Sequence, residues 1–358
     1  MTNGLDEEDG MARRRGSSGV TIQAVAERAG TSTMTVSNFL NGTGKMGDAT
    51  RERVREAVDA LGYKPNAAAR ALASSGAARI GLVYANPQNA FLSAMLVGTL
   101  HAAAARGAQL MVQHGGDLEY EALAEALRAL VRSGANALLL PPPYSELVAG
   151  QPILAELGVP IAAVAAGRPI PGIFTVRVDD RAAAQAMTDL LIRQGHRRIG
   201  FIGGPEGHGS TAGRLAGYRD SLLAHQLPEA PELIEAGDFL FESGLDAAKR
   251  LLDLAEPPSA IFAANDDMAA AVISVAHRRG LAIPNALAVA GFDDTPIAVK
   301  TWPALTTVRQ PIAEMAERAT SALIERIANP ESDAGAADMC VGFKLVERAS
   351  TDIGRLRR

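Results

Sequence analysis

The chain reads as an α/β protein, with an N-terminal all-α helix-turn-helix headpiece followed by a two-lobed, doubly wound α/β core. Three observations predict it. Short amphipathic helical patterns with a glycine-containing turn fill residues 20–65. Short apolar strands alternate with amphipathic helices from Ile80 onward, the signature of parallel sheets. The charge is also split, as eleven Lys and Arg oppose five acids between Met11 and Arg79, whereas Ile80–Arg358 carries a net −7. A basic module on an acidic body points to a polyanionic partner for the module alone. At 358 residues, two or three folding units are expected.

Residues 1–19 are small or charged and lack periodicity, so a disordered tail is expected there. Thr21 is the expected N-cap of a first helix that repeats Ile22, Val25, Ala26 and Ala29 at helical spacing. Ala29-Gly30-Thr31 makes a tight turn. Ser32 then caps a second helix, Thr33–Leu40, which turns Val36, Phe39 and Leu40 inward. A third helix, Asp48–Leu61, buries Val54, Ala57, Val58 and Leu61 and is broken by Gly62-Tyr63-Lys64-Pro65. In the core, strands are expected at Ile80–Tyr84, Gln109–Gln113, Ala137–Leu140, Ile161–Ala165, Ile199–Ile202, Ala260–Ala263 and Leu287–Gly291. Helices are expected between and after them, at Leu92–Arg106, Leu118–Arg132, Arg181–Gln194, Ala212–His225, Asp266–Arg279 and Ile312–Ala328.

Two short helices around a glycine turn place the second in the major groove of DNA. On that helix Thr33, Met34, Ser37 and Asn38 face away from the apolar side. An amide can pair with adenine, and a methionine or threonine methyl can pack on the thymine methyl. Periodicity alone accommodates an ordinary three-helix bundle with a polar outer face equally well. In the core, Asn265, Asp266 and Asp293 directly follow expected strands and Arg214 lies on the helix after another, where ligands of such sheets bind.

Other chemistries find little support. Cys340 is the sole cysteine, which excludes an intrachain disulfide and a cysteine-based metal site. The six histidines lack metal-ligand spacing, and no Ser/His/Asp arrangement stands out. Gly203–Gly209 (GGPEGHG) follows a strand but is not a dinucleotide fingerprint, and Gly42–Gly47 (GTGKMG) lacks the full P-loop spacing. No enzyme activity, cofactor or metal is therefore expected. No run is long enough to span a membrane, and the opening residues lack the apolar region of a secretory signal, so a cytoplasmic location is expected. A solute-binding protein would need export, and it would leave the headpiece unexplained.

Residues 21–73 resemble the headpiece of the LacI/GalR family of bacterial repressors. They share an initial Thr-Ile, an AVAERAG block, TVSNFLNG, TRERV, and LGYKPN before an Ala-Arg-Ala-Leu hinge. The resemblance continues through GHRRIGFIGG (Gly195–Gly204), RLAGY (Arg214–Tyr218), AIFAANDDMA (Ala260–Ala269), VAGFDDTPIA (Val289–Ala298) and ALTTVRQP (Ala304–Pro311). It implies a headpiece over 20–65, a hinge helix and linker over 66–78, and a periplasmic-binding-protein-like effector-binding and dimerisation core over 79–358. Base reading then falls on Thr33, Met34 and Asn38, and Leu72 of the hinge wedges into the minor groove. Arg214, Asn265 and Asp293 become effector contacts, with Phe91 and Leu92 as an apolar cleft wall. The implied partners are a palindromic double-stranded operator, a small-molecule effector and a second copy of the chain, with a tetramer left open. A sugar is the leading expectation for the effector; a purine or other metabolite remains open.

Four departures from the family pattern bear on this reading. Asn38 stands where many relatives carry Arg or His, and Gly47 replaces a common Ser cap. The NAFL segment replaces Asn-Pro-Phe-Phe, and VPIAAVAAGRPIPG carries no acid where relatives often have one.

Overall fold

A computed structural model of the chain describes residues 21–41, 46–63, 77–84, 90–115, 119–332 and 338–352. They belong to two compact units, Met1–Ser75 and Gly76–Arg358. The tail expected over 1–19 and most of the expected hinge, with Leu72, lie outside the described residues.

In the first unit, helices α1 (Ile22–Ala29), α2 (Thr33–Asn41) and α3 (Asp48–Leu61) form as the periodicity predicts. Thr21 Oγ1 accepts the Ala24 N–H at 3.2 Å, and Ser32 Oγ accepts that of Thr35 at 3.2 Å, so both expected caps satisfy otherwise orphaned donors. Gly30 closes α1 at φ 61°, a left-handed conformation that lets the chain turn within three residues. Val25, Ala26, Ala29, Val36, Val54 and Ala57 make the core, with Ile22, Phe39, Val58, Leu61 and Tyr63 packed against it. Burial of each of the larger side chains stabilises by about 1.5–3 kcal/mol. With so few of them, individual caps weigh heavily.

The second unit opens with β1 (Arg79–Tyr84), α4 (Ala90–Arg106), β2 (Gln109–His114), α5 (Tyr120–Arg132) and β3 (Ala137–Leu140). Short helices α6 (Tyr144–Leu147) and α7 (Ile153–Glu156) lead to β4 (Ile161–Val164) and β5 (Phe174–Val178). The chain then passes to a second lobe, built from α8 (Asp180–Arg193), β6 (Ile199–Gly203), α9 (Gly209–Ala224), β7 (Ile234–Ala236) and α10 (Phe241–Leu252). That lobe continues through β8 (Ala260–Ala263), α11 (Asp266–Arg278), β9 (Ala288–Asp293) and β10 (Thr306–Arg309). Helix α12 (Ile312–Ala328) and β11 (Met339–Val341) return to the first lobe, and β12 (Lys344–Val346) joins the second.

The first sheet has the order β11-β5-β4-β3-β1-β2 and is wholly parallel. The second has the order β12-β10-β9-β8-β6-β7 and is parallel except for β12. These are the two doubly wound lobes that the alternating pattern predicts. Strands β3, β4, β6 and β8 are buried throughout, which is why they read as continuous apolar runs. Each lobe has its own core, around Phe201, Tyr218 and Phe262 in the second and on both faces of the sheet in the first. The chain passes between the lobes three times, at Val178–Asp180, Arg309–Ile312 and Val341–Lys344, and the last passage starts beside Val178 of β5 and ends beside Arg309 of β10. Among the described residues no helix is long and apolar enough to cross a membrane.

Candidate functional sites

The exposed face of α2 carries Thr33 and Met34, with Ser37 and Asn38 half-buried beside them and Val36 sealed on the opposite side. Met34 is 71% exposed. An unbranched thioether held in water on a short helix has no role in this unit's own packing, and its shape suits an apolar base edge. Arg51, Arg53 and Arg55 project from α3 into solvent, where Arg55 meets Glu52 at 2.7 Å. The Leu40 side chain lies outside the described set.

In the second unit, strand ends and crossing segments from both lobes line a cavity of about 100 Å³ that opens to solvent. Arg214, on α9, is its electrostatic centre. The guanidinium is buried, pairs through Nε with Asp180 Oδ1 at 2.8 Å, and donates through Nη1 to the Ala264 carbonyl. It lies 3.7 Å over the Phe292 ring and 4.0 Å from Asp293 Oδ1. A flat cation between an aromatic face and a carboxylate is fixed in one orientation, with further N–H donors to spare. Asp180 was not singled out in the sequence. It is the first residue of the helix that carries the chain into the second lobe, and burial raises its pKa against the lowering effect of Arg214.

Asp293 ends β9 at φ 108° and accepts from Gln310 Nε2 at 2.5 Å. Burial pushes its carboxyl up to about 6, although Arg214 and Gln310 both pull it down. Gln310 Oε1 is buried and has no hydrogen-bond partner among the described residues. Asn265 caps α11, its Oδ1 accepting from Met268 N–H at 3.0 Å while Nδ2 donates to the Phe239 carbonyl at 2.8 Å. One amide hydrogen is therefore left for a ligand. The helix-cap role and the cavity role coexist in this residue. Asp266, next in sequence, accepts from Thr295 N–H, Thr295 Oγ1 and Thr307 Oγ1 at 2.6, 3.1 and 2.6 Å. It fastens the loop that follows β9 and does not line the cavity.

Phe91 lines the cavity from the first lobe, together with Pro142 and Ala165. Leu92 does not. Consecutive helical residues point about 100° apart, and α4 turns Leu92 into the first lobe's core, where it is buried. The pairing of Phe91 and Leu92 as a common cleft wall is thus corrected to Phe91 alone.

His208, Ser210, Phe239 and Gln310 complete the lining, and none was assigned a role from the sequence. Gln310 sits inside the ALTTVRQP motif; the other three sit in loops or a helix start that carry no periodic signal. Burial and Arg214 both lower the His208 pKa, so the ring is neutral near pH 7, and its Nδ1 has no partner among the described residues.

The lobes touch beside the cavity, next to its lining residues Ala165 and Ser210. Gly167, in the loop after β4, packs directly on the backbone of Gly209 and Ser210 at the start of α9. A Cβ at Gly167 would lie 2.0 Å from the Gly209 carbonyl carbon. Glu146, on α6, accepts from Gly167 N–H at 3.3 Å and from Gly209 N–H at 3.1 Å with the same oxygen. One carboxylate therefore bridges both lobes at the positive end of a helix, and burial is the main cause of its raised pKa.

A helix-turn-helix unit and a two-lobed binding core on one chain define a transcription regulator that binds DNA and responds to a small molecule. Comparison with known proteins carries this further. Residues 21–66 match the model of bacterial regulatory proteins of the lacI family, and residues 188–351 match the periplasmic binding protein-like domain. The transcriptional regulator CelR of Thermobifida fusca is 34% identical over 86% of this chain and 92% of its own length. Among solved structures, the CelR–cellobiose complex covers 92% of this chain and 99% of that one, at 29% identity and TM-score 0.67. The lac repressor dimer bound to operator and the anti-inducer ONPF covers 93% and 99%, at 25% identity and TM-score 0.70. The chain belongs to the LacI family.

Proposed function

We propose that the chain is a cytoplasmic repressor that reads a palindromic operator as a homodimer and is controlled by a sugar bound between its lobes, without catalytic turnover. The observation that carries the sugar reading is the cavity's chemistry. Asp293 and Gln310 offer acceptors, Asn265 and Arg214 offer spare donors, and Phe91 and Phe239 offer aromatic faces. Hydroxyl-rich rings need this combination. The cellobiose complex of CelR supports the same reading by similarity.

Thr33, Met34, Ser37 and Asn38 are the proposed base-reading set. Operator sequences are selected from a random duplex pool and binding of the full chain is followed by fluorescence anisotropy. Asn38→Ala is expected to cost roughly 1–3 kcal/mol on the selected operator and little on unrelated duplex. Binding that shows no sequence preference at any salt concentration sinks the regulator reading.

For the homodimer, the first lobe exposes an apolar strip. Val97 and Leu100 on α4 are 48% and 50% exposed, and Val112 on the edge strand β2 beside it is 47% exposed. Neighbouring exposed apolar side chains at a sheet edge suit a self-complementary contact. Leu100→Glu is expected to give a monomer in sedimentation and to weaken operator binding, because one headpiece then holds half a site.

A further inference from the structure

Helix α9 receives its N-terminal partner from the opposite lobe. We propose that Glu146 is a positioning residue for the effector response, a clasp that holds the two lobes together beside the cavity; this rests on the reading of the cleft as the effector site.

The first N–H groups of a helix have no partner within it and must find one outside. His208, at the cap position of α9, makes no side-chain hydrogen bond to the helix start. Glu146 reaches there from α6 in the first lobe, and its Oε1 accepts from Gly209 N–H at 3.1 Å. A carboxylate is favoured at this end of a helix. The same oxygen accepts from Gly167 N–H at 3.3 Å, in a segment (residues 159–172) that carries no acid of its own. A Cβ at Gly209 would lie 2.8 Å from Glu146 Oε1 and 3.2 Å from Gly167 Cα, so the approach depends on glycine on both sides.

The contact is built to form and break. Glu146 Oε2 is buried and has no hydrogen-bond partner among the described residues. The same holds for Ser145 Oγ beside it and for His208 Nδ1 and Thr211 Oγ1 around Gly209. Polar atoms in a permanent interior are almost always paired. These four reach water when the lobes part, which offsets the loss of the Glu146–Gly209 bond. The surrounding charges are balanced as well. Arg168, next to Gly167, favours the ionised carboxylate, Asp180 at the start of α8 opposes it, and His208 adds no charge near pH 7.

Glu146 does not line the cavity, but the backbone it holds does lead there. His208 and Ser210 flank Gly209 and line the cavity, and Ala165 lies two residues before Gly167. A ligand that touches both walls binds the clasped arrangement. Its apparent affinity then falls with the fraction of the chain that is clasped.

The test uses the full-length protein, Glu146→Ala and the isosteric Glu146→Gln. Hydrogen exchange is read first without any ligand, on peptides covering residues 165–169 and 207–211. Glu146→Ala is expected to speed exchange in both segments by about tenfold or more, with little change elsewhere in the lobes. Glu146→Gln should do so by less, because its amide oxygen still accepts but carries no charge. Thermal shift and calorimetry follow with D-glucose, D-galactose, D-xylose, D-ribose, cellobiose and adenosine. A compound that binds the native chain is expected to bind Glu146→Ala about tenfold more weakly, with Glu146→Gln between the two. Unchanged exchange in the two segments overturns the clasp, as does unchanged affinity for that compound. Faster exchange throughout the second lobe in both variants also overturns it, since Glu146 then only supports packing. A panel in which no sugar binds counts against the sugar-effector reading, and exchange alone then decides whether Glu146 holds the lobes.

Discussion

Asp293 concentrates the chemistry of the cavity in one side chain. Its carboxyl, raised to about 6 by burial, faces Arg214, Gln310, Asp180 and Asp267. A folded-state pKa above the ordinary carboxylate value means that the native core binds the proton more tightly than the unfolded chain does. This contribution to stability is therefore full below about pH 4 and is lost as pH rises through about 6. Ligand hydroxyls need the ionised form as acceptor and compete with that proton. Effector affinity should therefore fall as pH drops from 7.5 to 5, while the ligand-free core does not lose stability from this residue. Calorimetry across that range checks the first part, and denaturant unfolding of the ligand-free protein checks the second. Arg214 has the opposite sign. Removing it in Arg214→Met leaves Asp180 and Asp293 buried without their cation, a loss of about 3–5 kcal/mol near neutral pH. Denaturant unfolding should show part of that loss recovered at pH 5, where Asp293 takes up its proton. A loss that is the same at both pH values would mean that packing on Phe292, and not charge, is what Arg214 provides.

At the scale of elements, the glycine contact between the lobes is the sharpest constraint. A methyl group at Gly167 has backbone on its far side, so nothing short of separating the lobes can accommodate it. Gly167→Ala should leave circular dichroism unchanged and weaken effector binding by about tenfold or more. Gly47 behaves differently. It caps α3 at φ −67° with no side-chain hydrogen bond and open space where a Cβ would go, so Gly47→Ser supplies the missing acceptor without strain. A gain of about 0.5–1 kcal/mol in headpiece stability is expected from thermal melts. Elements also show where sequence reasoning reached its end. The helices were legible because Thr21, Ser32 and Gly30 announce their ends, and β1, β3, β4, β6, β8 and β9 because burial on both faces makes them uniformly apolar. Strands β7, β11 and β12 are three residues long and half-exposed at sheet edges. Their extended form is set by a neighbouring strand and not by their own pattern. β5 and β10 border the crossings between lobes and carry Thr and Arg among their apolar residues, which dilutes the same signal. The site divides likewise. Arg214, Asn265 and Asp293 could be found because strand ends fix where ligands sit. Asp180, His208, Phe239 and Gln310 converge only through the crossings, and no local spacing encodes that.

For the whole molecule, the crossings make the cavity sensitive to how the lobes stand relative to each other. Gln310, which holds Asp293, is followed at once by α12, whose helix packs on α4 in the first lobe. A ligand that draws on Asp293, Gln310 and Phe91 together binds only when both lobes contribute, so it shifts the population toward the closed arrangement. If operator binding prefers one arrangement, the two ligands are coupled, and the coupling must be reciprocal. The factor by which saturating effector changes operator affinity should equal the factor by which saturating operator changes effector affinity, within a range of about 5–150-fold. Anisotropy gives the first factor and calorimetry in the presence of operator duplex the second. In Gly167→Ala, where closure is obstructed, both should shrink toward one together, even at effector concentrations high enough to fill the site. If the effector still switches operator affinity at full strength in that variant, lobe closure is not the link between cavity and DNA, and the signal must leave through the second lobe alone.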